Sequence, residues 1–150
     1  MAAVIPAHNE QGNIAEAIEE LLPELARAAS FFEIIVVDDG SSDKTGEVVS
    51  GISSQRPEVK LVRHGTNRGY GAALRSGFSA ASKEWIFFTD GDRQFDPAEF
   101  EKLVRPALSS GFAAGVRENR RDPPLRKLFG AAFSSIMRLV FGVRARDVNC

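Results

Sequence analysis

Asp90 and Asp92 lie two residues apart with Gly91 between them, directly after the apolar run at residues 85–89. In a glycine turn both carboxylates can face one cation, and the side-chain amide of Gln94 adds a third oxygen. Ligation by oxygen alone, with no histidine or cysteine nearby, selects a hard ion such as Mg²⁺ or Mn²⁺. Such a site keeps open positions for phosphate oxygens. The spacing therefore predicts a divalent metal site that receives a phosphate ligand.

Acidic side chains also follow two other predicted strands. Asp38 and Asp39 follow the apolar run at 34–37, and Glu10 lies in the segment after the run at 2–5. In open parallel sheets ligands bind at the carboxyl ends of the strands, beside a topological switch point, so we expect the three clusters to converge. One aspartate suffices for the turn, which leaves Asp39 free to accept hydrogen bonds from a nucleobase or ribose. Glu10 either helps to start the first helix or reaches a sugar hydroxyl.

Three further features are less specific. His8 has no second histidine close by in sequence, which argues against a catalytic or metal role. Gly69 and Gly71 precede a helix, but Leu74 occupies the third glycine position of a dinucleotide fingerprint. The pair therefore predicts a tight turn, with phosphate binding at the helix N-terminus as the alternative. Arg117 follows a predicted strand and can form a bidentate contact with phosphate.

These residues are positioned by short apolar runs that alternate with helical stretches, which is typical of βαβ units and a largely parallel sheet. Strands are predicted at 2–5, 33–37, 59–63, 85–89 and, more weakly, 112–116. The second and fourth alternate too little to be half-exposed, so we expect both faces of each to be buried. Helices are predicted at 13–29, 44–53, 71–81, 97–108 and 125–141. Pro23 should kink or end the first, Asp43 or Ser42 caps the second, and Asp96 caps the fourth.

The 150 residues contain no repeat or linker, so we expect a single domain, 1–150. One cysteine excludes an internal disulfide and a multi-cysteine metal site. The sequence contains neither an apolar run long enough for a membrane span nor the layout of a signal peptide, so a cytoplasmic location is the simplest interpretation. The chain stops directly after a predicted helix, and we expect it to be truncated at its C-terminus.

The net charge of −1 conceals an asymmetry, because residues 117–150 contain eight basic and three acidic side chains. A basic segment suits an anionic partner such as phosphate or a membrane surface, and the alternative is a solvated arginine-rich surface. The apolar residues of the last predicted helix form either a core face or a membrane-interface face. Aromatic residues do not alternate with the basic ones, so we do not expect a nucleic-acid partner.

With these residues in view, the chain resembles the family-two glycosyltransferases of the GT-A fold. The resemblance is to the polyprenyl-phosphate branch, which is similar to dolichyl-phosphate mannose and glucose synthases. It is carried by residues 4–10, 33–41, 67–74 and 90–94 in the family's order, and more weakly by 115–117 and 146–150. It implies a Rossmann-like, mostly parallel sheet flanked by helices. It also implies inverting transfer of a hexose from a UDP- or GDP-sugar to a polyprenyl phosphate, at the inner face of the membrane.

The resemblance assigns roles residue by residue. Asp90 and Asp92 are the catalytic pair, Asp92 and Gln94 ligate Mg²⁺ or Mn²⁺ with Asp90 close by, and Arg117 meets the donor or acceptor phosphate. Arg126, in the basic segment near the start of the last predicted helix, is a second candidate for the acceptor phosphate. The nucleotide sugar would be contacted by Pro6, His8, Glu10, Val37, Asp39, Asp90, Gly91, Asp92 and Arg117. His8 departs from the aromatic residue that is often found at this position.

Other functions stay open at this point. The acceptor of a glycosyltransferase can be a saccharide instead of a lipid phosphate. A phospho-acceptor signalling domain also carries paired aspartates, but there the pair ends the first strand, whereas Asp38 and Asp39 follow the second. A non-catalytic binding module would use the basic C-terminal helix on a membrane or a nucleic acid.

Overall fold

The computed structural model describes residues 1–93, 96–115 and 139. Four strands alternate with helices along these residues, as the sequence predicts. The elements are β1 (Ala2–Ala7), α1 (Ile14–Ala28), β2 (Glu33–Asp39), α2 (Thr45–Gln55), β3 (Val59–His64), α3 (Tyr70–Ala80), β4 (Ile86–Phe88), a 3₁₀ turn (Pro97–Glu99) and α4 (Phe100–Ser110). The chain divides into two compact units, Met1–Val104 and Arg105–Cys150. The single domain expected over 1–150 stays a prediction.

The four strands of the first unit are parallel and lie in the order β3-β2-β1-β4. From β1 the chain moves outward through β2 to β3, and it then returns to the other side of β1 to form β4. The strand order therefore reverses between β1 and β4. In open α/β sheets this reversal marks the crevice in which ligands bind.

Different helices cover the two faces of the sheet. Because successive strand side chains point to opposite faces, Ile5 and Val36 lie in one core cluster with residues of α1 and α2, whereas Val4 and Val37 lie in another with Ala73 of α3. Helix α3 approaches the sheet closely at Gly77. A Cβ at Gly77 would lie 2.3 Å from Cγ1 of Val4, so only a glycine permits this contact.

The predicted helices form with small shifts at their ends. Helix α1 continues through Pro23, which is exposed, so the proline does not end the helix. The Asp43 carboxylate accepts a hydrogen bond from the N–H of Thr45, the first residue of α2. Asp96 caps the 3₁₀ turn as predicted, because its side chain accepts from the N–H of Ala98.

Strand β4 corrects one prediction. Its backbone pairs with β1 over the predicted extent, since Trp85 O accepts from Ala2 N–H and Thr89 N–H donates to Val4 O. Its side chains are not buried on both faces, however: Ile86 is 43% exposed and Phe88 42%. Among the described strands β4 lies at the sheet edge, with β1 as its single neighbour. Strand β2, with the same kind of apolar run, lies between two strands and is buried throughout.

The described part of the second unit consists of the end of α4, residues 111–115 and Leu139. Helix α4 is followed by Gly111, which has a φ of +80° and donates to the carbonyl of Ala107. The strand predicted at 112–116 is absent over the described residues 112–115. Apart from Leu139, the helix predicted at 125–141 lies outside the described residues. No helix in the described part of the chain is long and apolar enough to cross a bilayer.

Candidate active site

The polar segments that follow β1, β2 and β4 lie at one edge of the sheet. Ala7 at the end of β1 pairs in register with Asp38, and on the other side Thr89 N–H donates to Val4 O. Since neighbouring strands lie roughly 4.8 Å apart, the ends of β2 and β4 are separated by roughly 10 Å, with β1 between them. The three acidic clusters therefore converge as the sequence predicts.

The Asp90–Gly91–Asp92 turn packs through its glycine. Gly91 is buried, and a Cβ there would lie 3.3 Å from side-chain atoms of both Ile5 and Ile14. The turn therefore lies against the end of β1 and the start of α1, beside the switch point. Asp90 is exposed and Asp92 is partly buried. Because the packing of Gly91 holds the backbone between them, the two carboxylates lie on either side of a fixed residue.

Arg93, the next residue, ties this turn to α1. Its guanidinium forms ion pairs with Glu16 and Glu20, which lie one turn apart on the outer surface of the helix. The backbone of Arg93 has a φ of +60°, in the left-handed region. The hydrogen bond to Glu20 is the largest influence on the Arg93 guanidinium, and together with the charges of both glutamates it raises the pKa of that group.

The predicted metal ligands are only partly within the described residues. Asp90 and Asp92 lie at the switch point, whereas Gln94 lies outside the described residues. Within residues 1–93, 96–115 and 139, no three acidic, histidine or cysteine side chains are grouped as a metal cage. Two carboxylates on either side of a buried glycine offer only oxygen atoms, which suits a hard cation with several positions left for phosphate or water.

Asp38 and Asp39 have distinct tasks. Asp38 Oδ1 accepts from the N–H of Ser41, and its Oδ2 accepts from Arg63 Nε at 3.1 Å, so Asp38 holds the turn. The carboxylate of Asp39 was expected to be free, but it already accepts three hydrogen bonds. Its Oδ1 accepts from the N–H of Arg68 and contacts His64, and its Oδ2 accepts from the N–H of Gly69.

The hydrogen bonds to Asp39 determine its ionisation. Burial alone would raise the pKa of the Asp39 carboxyl, which is 4% exposed. The hydrogen bonds from Arg68, His64 and Gly69 outweigh burial and lower the pKa overall. Asp39 is therefore an ionised carboxylate held in one orientation by main-chain and imidazole donors.

Both histidines of the chain contact Asp39, one through its backbone and one through its side chain. Nδ1 of the exposed His8 donates to the Asp39 carbonyl oxygen at 2.9 Å. Nδ1 of the buried His64 lies 2.6 Å from Oδ1. His64 is a site residue that no motif in the sequence indicates. Its position is encoded in the register, since Asp39 and His64 are paired residues of adjacent strands.

A set of side-chain to backbone hydrogen bonds joins the loop after β1 to the loop after β2. Asn9 has a φ of +60°, and its Oδ1 accepts from both the N–H and the hydroxyl of Ser42. Thr45 Oγ1 accepts from the N–H of Glu10, and Asp43 Oδ2 accepts from that of Gln11. The sequence signal for this connection is the density of Asn, Asp, Ser and Thr, whose short side chains bond nearby backbone.

The remaining predicted contacts differ in accessibility. Pro6 is buried at the end of β1, and the side chain of Val37 is enclosed beneath α3. The carbonyl of Glu10 accepts from the N–H groups of Asn13 and Ile14, and its carboxylate accepts from Asn13 Nδ2. These bonds fit the helix-start interpretation of Glu10.

Gly69 is the cap residue of α3, and the tight turn that its spacing predicts stays a prediction. It has a φ of +88° directly before α3, and its N–H is bonded to Asp39. The predicted phosphate ligands Arg117 and Arg126 lie outside the described residues.

Comparison with known proteins covers nearly the whole chain. The family described as Glycosyl transferase family 2 matches residues 2–138. The undecaprenyl-phosphate 4-deoxy-4-formamido-L-arabinose transferase of Pectobacterium carotovorum subsp. carotovorum (strain PC1) is 33% identical, over 100% of this chain and 46% of the relative. The dolichyl-phosphate beta-glucosyltransferase ALG5C of Trichomonas vaginalis is 31% identical, over 98% of this chain and 49% of the relative. The chain thus spans about half the length of the curated relatives it matches.

Two solved structures share the architecture. The mannosyltransferase PcManGT from Pyrobaculum calidifontis, in complex with GDP-Man and Mn²⁺, has a TM-score of 0.55 and 28% identity, over 61% of this chain and 27% of that one. S. aureus TarS 1-349, in complex with UDP-GlcNAc, has a TM-score of 0.56 and 25% identity, over 81% of this chain and 36% of that one. The predicted GT-A fold, a parallel sheet with flanking helices, is confirmed.

Proposed function

The chain belongs to glycosyl transferase family 2, and from that premise we propose that it forms the donor-binding part of a hexosyltransferase. The enzyme would move a hexose from a UDP- or GDP-sugar to a polyprenyl phosphate, with inversion at the anomeric carbon. The observation that carries the proposal is the position of the Asp90–Gly91–Asp92 turn, packed against the end of β1 where the strand order reverses.

The acceptor is proposed from the relatives. One is named an undecaprenyl-phosphate sugar transferase and another a dolichyl-phosphate glucosyltransferase, and both match almost all of this chain. Their common element is a lipid phosphate. A basic C-terminal segment that includes Arg117 and Arg126 suits such an acceptor, because a guanidinium binds phosphate through two parallel hydrogen bonds. We propose that the enzyme acts at the membrane, since the acceptor is a lipid.

The donor would lie across the carboxyl edge of the sheet. Its nucleoside would occupy the β1–β2 side, beside Pro6, His8, Glu10 and Asp39, and its diphosphate the β4 side, beside Asp90, Gly91 and Asp92. Val37 would line the same side through its backbone, since its side chain is enclosed. Solved structures with this fold bind GDP-Man and UDP-GlcNAc, and the residues of this chain do not decide between the two bases.

We propose that Asp92 and Gln94 ligate Mg²⁺ or Mn²⁺, with Asp90 beside the ion. Support comes from the all-oxygen ligand set and from the Mn²⁺ bound by the structural relative PcManGT. A bound divalent ion would neutralise the negative charge that develops on the departing nucleoside diphosphate.

The transfer needs no strong general base. A phosphate monoester has a second pKa of about 6, so the acceptor is already a nucleophile at neutral pH. Its oxygen attacks the anomeric carbon from the face opposite the diphosphate, the bond from that carbon to the diphosphate oxygen breaks, and the electron pair leaves with the diphosphate. The protein's contribution is to orient donor and acceptor and to meet the developing charge with fixed polar groups.

The proposal is tested by measuring donor binding and transfer in matched variants. Wild-type protein should show a higher melting temperature with UDP- or GDP-sugars when Mn²⁺ is present, because a ligand that binds the folded state stabilises it. Asp92→Asn should remove this Mn²⁺-dependent shift and reduce sugar transfer to a polyprenyl phosphate at least about a hundredfold. The control is Asp96→Asn, four residues on, where asparagine also caps the 3₁₀ turn.

Transfer at the wild-type rate by Asp92→Asn would refute the catalytic assignment. Transfer to a saccharide but not to a lipid phosphate would keep the donor site and replace the acceptor.

A further inference from the structure

His64 is a buried histidine whose two ring nitrogens are both bonded to protein groups. Nδ1 lies 2.6 Å from Oδ1 of Asp39, and Nε2 lies 2.8 Å from Oγ of Ser76 on α3. The His64 and Asp39 side chains are each 5% exposed. No step of the proposed reaction uses this imidazole, so its burial beside a strand-end carboxylate calls for a separate explanation.

The chemistry of the groups fixes the direction of the hydrogen bond between His64 and Asp39. An ionised carboxylate only accepts, so Nδ1 of His64 carries the proton and donates to Asp39. Nε2 is bonded to the Ser76 hydroxyl, which can either donate to a ring nitrogen or accept from a ring N–H. The hydrogen-bond chain Ser76–His64–Asp39 therefore connects helix α3, through the end of β3, to the end of β2.

The hydrogen bonds that Asp39 already accepts determine how much of its carboxylate is left for a ligand. A carboxylate has about four acceptor positions, two on each oxygen. On Asp39, Oδ1 is filled by His64 and the N–H of Arg68, whereas Oδ2 accepts from the N–H of Gly69. Among the described residues no further donor meets Oδ2, which leaves it one acceptor position, and the direction of that position depends on the rotation of the carboxylate. His64 is the one side-chain donor, among the described residues, that holds this rotation.

We propose that His64, held in turn by Ser76, is a positioning residue that orients the Asp39 carboxylate toward the nucleoside of the donor. The inference rests on the proposed function, since it takes the β1–β2 side of the crevice as the nucleoside site. His64 does not touch the donor. It acts through Asp39, so its loss weakens nucleotide binding and leaves the transfer step of the bound donor unaltered.

The test compares two substitutions that remove the imidazole but differ in the donor they leave. His64→Ala removes the hydrogen bond, whereas the amide nitrogen of His64→Asn occupies about the position of Nδ1 and can donate to Asp39. Binding of UDP and GDP is measured by isothermal titration calorimetry, and the melting temperature of each variant is measured without ligand. A hydrogen bond to a charged group is worth roughly tenfold or more in an equilibrium constant. We expect His64→Ala to raise the Kd of the preferred nucleotide roughly tenfold and His64→Asn to stay within about threefold of wild type.

Two serine variants extend the test to Ser76, at the far end of the Ser76–His64–Asp39 hydrogen-bond chain. They also keep the test decisive if His64→Ala does not fold. Ser76→Ala removes the hydroxyl that holds Nε2 and should raise the Kd about two- to fivefold. Ser79→Ala, an exposed serine on the same helix, should leave it unchanged. In the complete enzyme the KM for the donor should rise with the Kd, while kcat changes less than twofold.

Equal losses of affinity in His64→Ala and His64→Asn, in step with equal losses of melting temperature, would overturn the inference and leave His64 as a packing residue. So would wild-type affinity in both His64→Ala and Ser76→Ala. If wild-type protein binds neither UDP nor GDP, the proposed function itself fails. If Asp39→Asn loses nucleotide binding while the His64 variants keep it, only the present inference fails.

Discussion

Arg93 Nη2 lies 2.5 Å from Oε1 of Glu20, so the residue after the Asp90–Gly91–Asp92 turn is ion-paired to the side of helix α1. Glu16, one helical turn away, pairs with the same guanidinium. The turn is thus held from two sides, by the packing of Gly91 against β1 and by Arg93 on α1. Because all three charged side chains are partly exposed, we expect this second attachment to be sensitive to ionic strength.

The double variant Glu16→Gln, Glu20→Gln should therefore weaken Mn²⁺-dependent donor binding without unfolding the protein. We expect the Kd of the donor to rise about two- to tenfold at low salt, and the difference from wild type to shrink near 1 M salt, where the Debye length is about 3 Å. Glu19→Gln is the control, because Glu19 lies on the same helix but pairs with Arg56. Unchanged donor affinity in the double variant at low salt would contradict a positioning role for Arg93.

Glu33 should make the fold sensitive to acid. At the amino end of β2 it accepts from Lys60 Nζ at 2.6 Å and from the N–H of Ser82 at 2.6 Å. Burial alone raises the pKa of the Glu33 carboxyl, but the bonds from Lys60 and Ser82 outweigh it, and the pKa is lowered. The unfolded chain therefore binds this proton more readily than the folded one. The stability that Glu33 contributes is present above the unfolded pKa of about 4.3 and is lost as the pH falls through the folded pKa.

Glu33→Gln should lower the free energy of unfolding at pH 7 by about 1.5–3 kcal/mol, the range for a hydrogen bond to a charged group. The difference from wild type should narrow below about pH 4, which urea titrations at several pH values would measure. Glu99→Gln removes an exposed pair with Lys102 and should cost less than about 1 kcal/mol. A Glu33→Gln penalty that stays constant down to pH 3 would show that the carboxylate does not carry the effect.

Sequence patterns predict most of this fold because the buried strands are uninterrupted apolar runs. Strand β2 was predicted to end at Val37, where the apolar residues end, but it continues through Asp39 because each aspartate still pairs with a residue of β3. The exposure of β4 depends on which strands flank it in the sheet, and a strand's own residues do not specify its neighbours. Both differences come from tertiary pairing.

In the candidate site, too, some features can be predicted from local sequence and others depend on tertiary contacts. Strand-end acidic residues can be read from the sequence, since parallel topology brings the carboxyl ends of strands to one edge. The hydrogen-bond partners of those residues cannot be read from the sequence, because His64 is 25 residues from Asp39 and Asn9 is 33 residues from Ser42. No local periodicity encodes contacts at such separations. The short polar side chains of the loops after β1 and β2 indicate hydrogen bonds to nearby backbone groups, but they do not indicate which residue supplies each backbone group.

Two glycines of helix α2 should respond oppositely to substitution by alanine. A Cβ at Gly46 would lie 2.4 Å from Oδ2 of Asp38 and 2.7 Å from Cζ of Arg63, so Gly46→Ala must separate a carboxylate from its cationic partner. A Cβ at Gly51 would meet no atom within 4 Å. Gly51→Ala should stabilise the protein by about 0.5–1 kcal/mol, the helical preference for alanine, whereas Gly46→Ala should destabilise it by about 1–3 kcal/mol. Thermal unfolding of both variants measures this, and stabilisation by Gly46→Ala would contradict the close approach of α2 to the ion pair.

Asn9 should favour glycine over alanine as a replacement, in contrast to Ser50 inside helix α2. Both substitutions at Asn9 remove the bonds that its side chain accepts from Ser42, so their difference isolates the backbone. At a φ of +60° alanine is strained while glycine is not, and Asn9→Gly should be more stable than Asn9→Ala by about 1 kcal/mol. Ser50 is an exposed residue inside helix α2, where alanine is favoured over glycine by about 1 kcal/mol, so the order should reverse there. Chemical denaturation of the four variants tests both orders. If Asn9→Ala is the more stable of its pair, the loop after β1 does not hold the left-handed residue that directs Oδ1 of Asn9 toward the loop after β2.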